Sequence, residues 1–245
     1  MNMGHRPWPP PERSWVMAQT WRDLLFAHWP VAADVIRPLV PVALELDTFD
    51  GHAWVGVVPF RMTGIRPRWL APLPWLSAFA ELNVRTYVTV GGKPGVYFFS
   101  LDAANPVAVA TARRWFHLPY MNAAMSCRNE GEAVDYASRR THRGAPAAEF
   151  RAHYEPTGQV TLAGRGSLAH WLTERYCLYT QGRRQLLMRG EIHHAPWPLQ
   201  SAKAEIATNT MASAAGITLP AEPPVLHFAR RLDVKIWPLR AAADE

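Results

Sequence analysis

The sequence predicts an α+β, β-rich protein, built as one antiparallel barrel or sandwich with a few helices packed on it. Two observations support this fold class. Runs of β-branched and aromatic residues recur along most of the chain, and they do not alternate with helices in the order that makes a parallel sheet. The composition, with 49% apolar and 19% charged residues among 245, is that of a folded chain with a sizeable core.

Local patterns predict the elements in chain order. Prolines at position 7 and at 9–11 predict a flexible, extended tail over residues 1–14, which leaves 15–245 as a single domain. The clearest signal is a hairpin over residues 79–99, where two β-rich runs flank a loop at 91–95. The other predicted elements are helices at 34–40, 102–116, 167–178 and 199–208, and strands at 53–60, 185–193 and 225–237, with three more within 121–154.

The charge balance is basic but scattered. The chain carries 26 Lys+Arg against 20 Asp+Glu, for a net charge of +6, and Lys93, Lys203 and Lys235 are its lysines. Because the arginines form no stripe of a single sign, we do not expect nucleic-acid binding. The N-terminus lacks the apolar core of an export signal, and no run reaches the ~18–20 apolar residues of a membrane span, so we expect a cytoplasmic protein without a membrane partner.

The motifs of several large enzyme classes are absent from the sequence. It contains no P-loop, no Gly-x-Gly-x-x-Gly after a strand, no His-Glu-x-x-His and no Gly-x-Ser-x-Gly. His193 and His194 are adjacent in a predicted strand and therefore point to opposite faces, which does not suit one metal ion. We predict neither a cofactor nor a metal.

One face of the predicted hairpin is polar. Glu81, Asn83 and Arg85 share it, because side chains alternate along a strand. This face has two interpretations. It is either an ordinary solvent-facing strand surface or the lumen of a barrel, where inward polar groups hold a ligand.

Several separated motifs, in the expected order, resemble the YqjF-like family, also called DUF2071, which is placed in the acetoacetate decarboxylase-like superfamily. They are WRDLL at 21–25, LVP at 39–41, LELD at 44–47, FAELNVRTYV at 79–88 and GEIHHAPW at 190–197. The resemblance runs from about residue 15 to 238. It implies a β-rich, incompletely closed barrel around a small-molecule pocket.

The superfamily resemblance also implies site residues. Arg22 matches an arginine before the first barrel strand of acetoacetate decarboxylase, and Glu81 matches its mid-chain glutamate. The decarboxylase forms a Schiff base through one lysine of a pair, but Tyr120 and Met121 stand where that pair is expected. Neither side chain forms an imine, so acetoacetate decarboxylase activity is not expected.

What remains is an anion site with an acid/base group. We expect Glu81 to be the catalytic carboxyl, since a semi-buried pocket raises its pKa, and Arg22, Asn83, Arg85 and Tyr120 to bind substrate. The sequence fits an enzyme that acts on a small oxo or carboxylic acid without a Schiff base, by an enolisation, hydration or lyase step. The alternative is a non-catalytic protein that binds or sequesters a small metabolite. A homo-oligomer is compatible with both.

Overall fold

The structure, a computed structural model, describes residues 4–72 and 77–242. The strands found there are β1 (Met17–Val31), β2 (Glu45–Leu46), β3 (Ala53–Pro67), β4 (Phe79–Val90), β5 (Lys93–Ala103), β6 (Tyr120–Glu130), β7 (Ala133–Arg140), β8 (Glu149–Thr161), β9 (Cys177–Gln181), β10 (Leu187–His193), β11 (Leu199–Asn209), β12 (Val225–Ile236) and β13 (Arg240–Ala241). The α-helices are α1 (Ala33–Ile36), α2 (Pro106–Trp115) and α3 (Leu168–Thr173).

The strands form one large ring-like sheet. Strands β5, β6, β7, β8, β11, β12, β1, β3 and β4 are neighbours in that order, and the pairing of β4 with β5 returns to the start. Strands β9, β10 and β13 continue from β5, and β2 adds to β4. The α+β, β-rich fold class is therefore confirmed, with few helices on a predominantly antiparallel sheet.

One βαβ unit departs from the sequence prediction, which has none. Strands β5 and β6 pair in parallel, and α2 is the crossover between them. The Asn105 side chain caps α2 by accepting hydrogen bonds from the backbone N–H groups of Val107 and Ala108, and Pro106 occupies the first turn. This unit places one face of α2 against the interior of the ring, where it forms part of the candidate site.

The predicted hairpin and most predicted strands are present, but the prediction of a helix at 199–208 is wrong. Residues Leu199–Asn209 form β11, which pairs with β8 and β12. Its alanines, Glu205 and Lys203 favour a helix locally, yet the partly buried positions Ala202, Ala204 and Ile206 alternate with exposed ones. The period-2 burial and the two neighbouring strands override the local helix propensity.

The predicted flexible tail at 1–14 packs on the domain in the part that the structure describes. The Arg6 side chain is buried and its Nη2 lies 3.0 Å from Oε2 of Glu191 in β10. Trp8 Nε1 donates to the same oxygen at 3.0 Å, and Trp237 Nε1 donates to the carbonyl of Arg13. A buried ion pair and two tryptophan hydrogen bonds thus hold the described part of this segment against the ring.

Both faces of β4 are buried. Leu82, Val84 and Val88 on one face join the main hydrophobic core, together with Val55 and Val57 of β3. The opposite face of β4 carries the polar residues of the predicted hairpin and is also shielded from solvent. A polar strand face is therefore enclosed within the protein.

Candidate functional site

The ring contains a cavity of about 490 Å³, a volume within the ~300–1,000 Å³ that is typical of sites for small organic molecules. It lies between β1, β3, β4, β5, α2 and the segment at 173–178. Glu81, Asn83 and Arg85 all line it, so the polar face of β4 points into the lumen and not to solvent. Most of the wall is apolar and includes Trp21, Leu24, Phe60, Phe79, Phe98 and Trp197.

Glu81 is the central titratable group of this cavity. It is 3% exposed, and the Tyr120 hydroxyl donates to its Oε2 at 2.8 Å. Burial raises the pKa of Glu81 to about 8, the Tyr120 hydrogen bond opposes that rise, and the Asp102 carboxylate adds to it. The carboxyl is therefore protonated in most molecules at neutral pH and ionises within reach of physiological conditions.

Arg85 supplies a buried positive charge two positions beyond Asn83 on the same face. Its Nη2 donates to the Leu172 carbonyl at 3.2 Å and to the Tyr87 hydroxyl at 3.3 Å. The guanidinium carbon also lies 5.2 Å from the centroid of the Phe26 ring. These neutral contacts orient the guanidinium but leave its charge without a carboxylate partner among the described salt bridges.

Arg175 is a second guanidinium in the cavity, and the sequence analysis missed it. Its Nη1 lies 2.5 Å from Oδ2 of Asp47, and its Nε donates to the Trp171 carbonyl. The Arg85 and Arg175 guanidiniums both lie over the Tyr87 ring, at 5.6 and 4.8 Å from its centroid. Arg175 follows a short helix and meets Asp47 across 128 positions, so no local pattern signals its place.

Arg22, which the sequence analysis expects to bind substrate, is not among the residues that line this cavity. Trp21 and Leu24 of β1 line the cavity, whereas Arg22 lies on the other face and its Nε donates to Thr63 Oγ1 at 3.2 Å. Between them Asp23 has a φ of 53°, a local break that lets Leu24 face inward as well. Because side chains alternate along a strand, the inward position of Trp21 directs the Arg22 side chain away from the cavity.

Four cavity-lining side chains carry buried polar atoms with no hydrogen-bond partner in the described residues. Three are donors, namely Arg85 Nε, Arg175 Nη2 and Trp197 Nε1, and the fourth is the acceptor Asn83 Oδ1. Buried polar groups are nearly always hydrogen-bonded in folded proteins. Atoms of this kind gathered around one cavity fit a ligand that is rich in acceptors and carries one donor.

Other chemistries have little support in this cavity. The Cys177 thiol lines it, but burial raises its pKa to about 12, so the thiolate is scarce at neutral pH. Tyr120 lines the cavity, and no lysine does so in the described part of the chain. Within residues 4–72 and 77–242 there is also no group of three or more His, Cys, Asp or Glu side chains placed to hold a metal ion.

Solved structures share this fold at low sequence identity. An enduracididine biosynthesis enzyme, MppR, superimposes with a TM-score of 0.66 at 12% identity, over 97% of this chain and 90% of that one. Acetoacetate decarboxylase from Legionella pneumophila superimposes with a TM-score of 0.65 at 11% identity, over 98% and 93%. The chain thus has the fold of acetoacetate decarboxylase-like proteins.

Sequence comparison is more specific. The model of the DUF2071 family, described as an uncharacterized conserved protein, matches residues 18–233. The uncharacterized protein YqjF of Bacillus subtilis (strain 168) is 52% identical over 230 residues, which cover 94% of each chain. The protein belongs to the DUF2071 family. The described residues include no helix that is both long and apolar enough to cross a membrane.

Proposed function

We propose that this protein is an enzyme that moves a proton on a small oxo or carboxylic acid, without forming a Schiff base. Glu81 is the acid/base group, and Arg85 and Arg175 bind the substrate carboxylate. One observation carries the proposal: a buried carboxyl with a pKa of about 8 lines the same cavity as two guanidiniums. General acid/base groups work best when their pKa lies near the operating pH.

The charges of the cavity favour an anion. Glu81 is mostly neutral at pH 7, and the charge of Arg175 is balanced by Asp47. Arg85 therefore leaves an excess positive charge in an apolar enclosure, where an ion without a counter-charge is costly. A ligand carboxylate supplies that counter-charge, and a guanidinium binds it through paired N–H donors.

The proton transfer is simple to balance. The ionised Glu81 carboxylate takes a proton from the carbon beside the substrate carbonyl, and the C–H electron pair moves to form the enolate. Return of the proton from Glu81 to that carbon restores the oxo acid and the carboxylate. The hydrogen bond from Tyr120 to Oε2 holds the carboxyl in place through both half-reactions. Enolisation of this kind is the first step shared by many isomerase and lyase reactions.

The test is exchange of the α-proton of an oxo acid, followed by proton NMR in D₂O with 2-oxobutyrate as the probe. Wild type is expected to accelerate exchange, and Glu81→Gln is expected to lower the rate by about 100-fold or more, since general acid/base groups contribute that much. The control is Glu205→Gln, a carboxyl on the exposed side of β11. Equal exchange by the Glu81→Gln and Glu205→Gln variants would refute the catalytic role.

The same protein samples separate the enzyme from a non-catalytic binding protein. The unpartnered donors of Arg85, Arg175 and Trp197 favour binding of an anion whether or not chemistry follows. Calorimetry with 2-oxobutyrate is expected to detect binding in wild type and loss of it in Arg85→Met. Saturable binding combined with no exchange at any protein concentration supports the sequestering function in place of the enzyme.

A further inference from the structure

We infer that the natural ligand is an amphipathic acid, with its carboxylate at Arg85 and Arg175 and a long apolar chain or aryl tail that runs to the mouth of the cavity. This inference rests on the proposed function and adds the class of substrate to it. It depends on the size of the cavity, on the order of its lining residues along the strands, and on the residues at its opening.

The cavity is too large for a four-carbon acid alone. Its volume of about 490 Å³ lies within the ~300–1,000 Å³ that encloses drug-sized ligands. Most of the lining beyond Glu81 and the arginines is aliphatic or aromatic. A ligand that fills such a space removes apolar surface from water, which is the main favourable term in its binding.

Strand pairing orders the lining from the charged end to the mouth. Along β4, Arg85 lies opposite Gly56, Glu81 opposite Phe60, and Phe79 opposite Met62 of β3. Met62 in turn faces Trp21, and Pro67 faces Met17 at the start of β1. The arginine therefore lies at one end of the row, Glu81 lies in the middle, and Met17 and Pro67 lie at the far end.

Exposed apolar side chains mark that far end and the α2 wall. Val16, Val107 and Trp115 all line the cavity, although they are 38%, 58% and 69% exposed. Large apolar side chains that line a cavity and are also exposed to solvent mark its entrance. A ligand tail is the occupant that touches both regions at once.

Asn83 lies between the two ends and fits the functional group of the ligand. Its Oδ1 is buried without a partner in the described residues and is an acceptor only. Asn83 lies two residues from Glu81 and two residues from Arg85, on the same face of β4. An enol or hydroxyl group of the ligand donates to this atom, while the Glu81 carboxyl faces the neighbouring carbon.

The test is a chain-length series measured by calorimetry at fixed salt, with straight-chain 2-oxo acids of four, six, eight and ten carbons. The dissociation constant is expected to fall by about four-fold per added methylene until the tail reaches the mouth. Alcohols of equal length are expected to bind at least about ten-fold more weakly, because they lose the charged hydrogen bonds. Acids that bind equally at every length overturn the inference and leave the proposed function standing, whereas alcohols that bind as well as acids refute the anion site itself.

A matched pair of variants locates the tail. Val107→Asn changes a 58% exposed valine at the mouth, and Val160→Asn changes a 57% exposed valine on β8 that does not line the cavity. Val107→Asn is expected to raise the dissociation constant of the ten-carbon acid at least about three-fold and to leave that of the four-carbon acid unchanged. Val160→Asn is expected to alter neither. If both valine variants bind the ten-carbon acid like wild type, the tail does not pass Val107 and the inference is wrong.

Discussion

Glu81 differs from the other buried carboxylates in the kind of partner it has. Asp102 is paired with Arg140 at 2.7 Å, and Asp23 is paired with Arg61 and Arg230 at 3.0 and 2.8 Å. Glu81 instead accepts a hydrogen bond from a neutral hydroxyl. A hydroxyl stabilises a buried carboxylate less than a guanidinium does, so the loss of hydration raises the pKa of Glu81. A strand that buries a carboxyl beside a tyrosine thus creates a proton donor and acceptor near neutral pH.

The raised pKa of Glu81 has a consequence for stability. Between the unfolded value near 4.5 and the folded value of about 8, the folded protein holds a proton that the unfolded chain has lost. Stability therefore falls as pH rises through this window, with a slope of up to about 1.4 kcal/mol per pH unit from this group. Glu81→Gln removes that contribution to the slope, so the variant gains stability relative to wild type between pH 5 and 8.

Urea unfolding at pH 5, 6.5 and 8 measures this difference. The exposed Glu205→Gln variant is the control, because its carboxyl is solvated in both states. It is expected to follow the wild-type curve at all three pH values. A Glu81→Gln curve parallel to that of the control contradicts the raised pKa.

Tyr120 opposes the rise of the Glu81 pKa, and its removal has a predictable direction. In Tyr120→Phe the carboxylate loses the hydrogen bond that stabilises its charged form, so the pKa of Glu81 rises above about 8. The carbon-13 shift of the Glu81 carboxyl, followed by NMR against pH, reports the midpoint directly. Tyr154→Phe is the control, since the buried Tyr154 hydroxyl donates to the Asp23 carbonyl and does not line the cavity. A midpoint that stays unchanged or moves downward in Tyr120→Phe is the contrary result.

At the scale of elements, the sequence predicts what is local and misses what depends on distant partners. The hairpin of β4 and β5 is predictable because alternation and a glycine loop lie within one short segment, and the resemblance points to Glu81 within it. Strand β11 is mistaken for a helix because its neighbours β8 and β12 decide its conformation. Arg22 lies outside the cavity because side chains alternate along β1 and its neighbour Trp21 faces inward, and Arg175 is missed because its position depends on Asp47.

The parallel contact of β5 with β9 depends on a missing side chain. A Cβ atom added at Gly95 would lie 2.7 Å from Tyr179 Cε2 and 2.8 Å from both the carbonyl oxygen and Sγ of Cys177. Gly95→Ala therefore pushes these strands apart and is expected to lower the free energy of unfolding by about 1–3 kcal/mol, the usual range for overpacking. Gly164→Ala has open space around the new Cβ and is expected to change stability by less than about 0.5 kcal/mol. Equal urea midpoints for the two variants contradict this account of the β5–β9 contact.

At the scale of the whole molecule, one carboxylate connects both ends of the described chain to the ring. Glu191 in β10 is 1% exposed, and its Oε2 lies 3.0 Å from Nη2 of Arg6 in the N-terminal segment. Arg240 of the C-terminal strand β13 lies 3.3 Å from the other carboxylate oxygen, and Arg189 of β10 lies 3.1 Å from it. The two chain ends are therefore held by a shared charge next to the strands that continue from the cavity wall.

Glu191→Gln tests this arrangement because it keeps the shape of the side chain and removes its charge. Three guanidiniums lose their common carboxylate, and removal of one partner from a buried ion pair costs about 3–5 kcal/mol. Arg6→Met is expected to cost less, since Glu191 keeps Arg189 and Arg240 and the cluster loses one excess positive charge. Urea unfolding orders the two variants, and limited proteolysis of Glu191→Gln is expected to cut first near the N-terminal segment. A smaller loss in Glu191→Gln than in Arg6→Met means that the ends are held by apolar packing of Trp8 and its neighbours instead of by the shared charge.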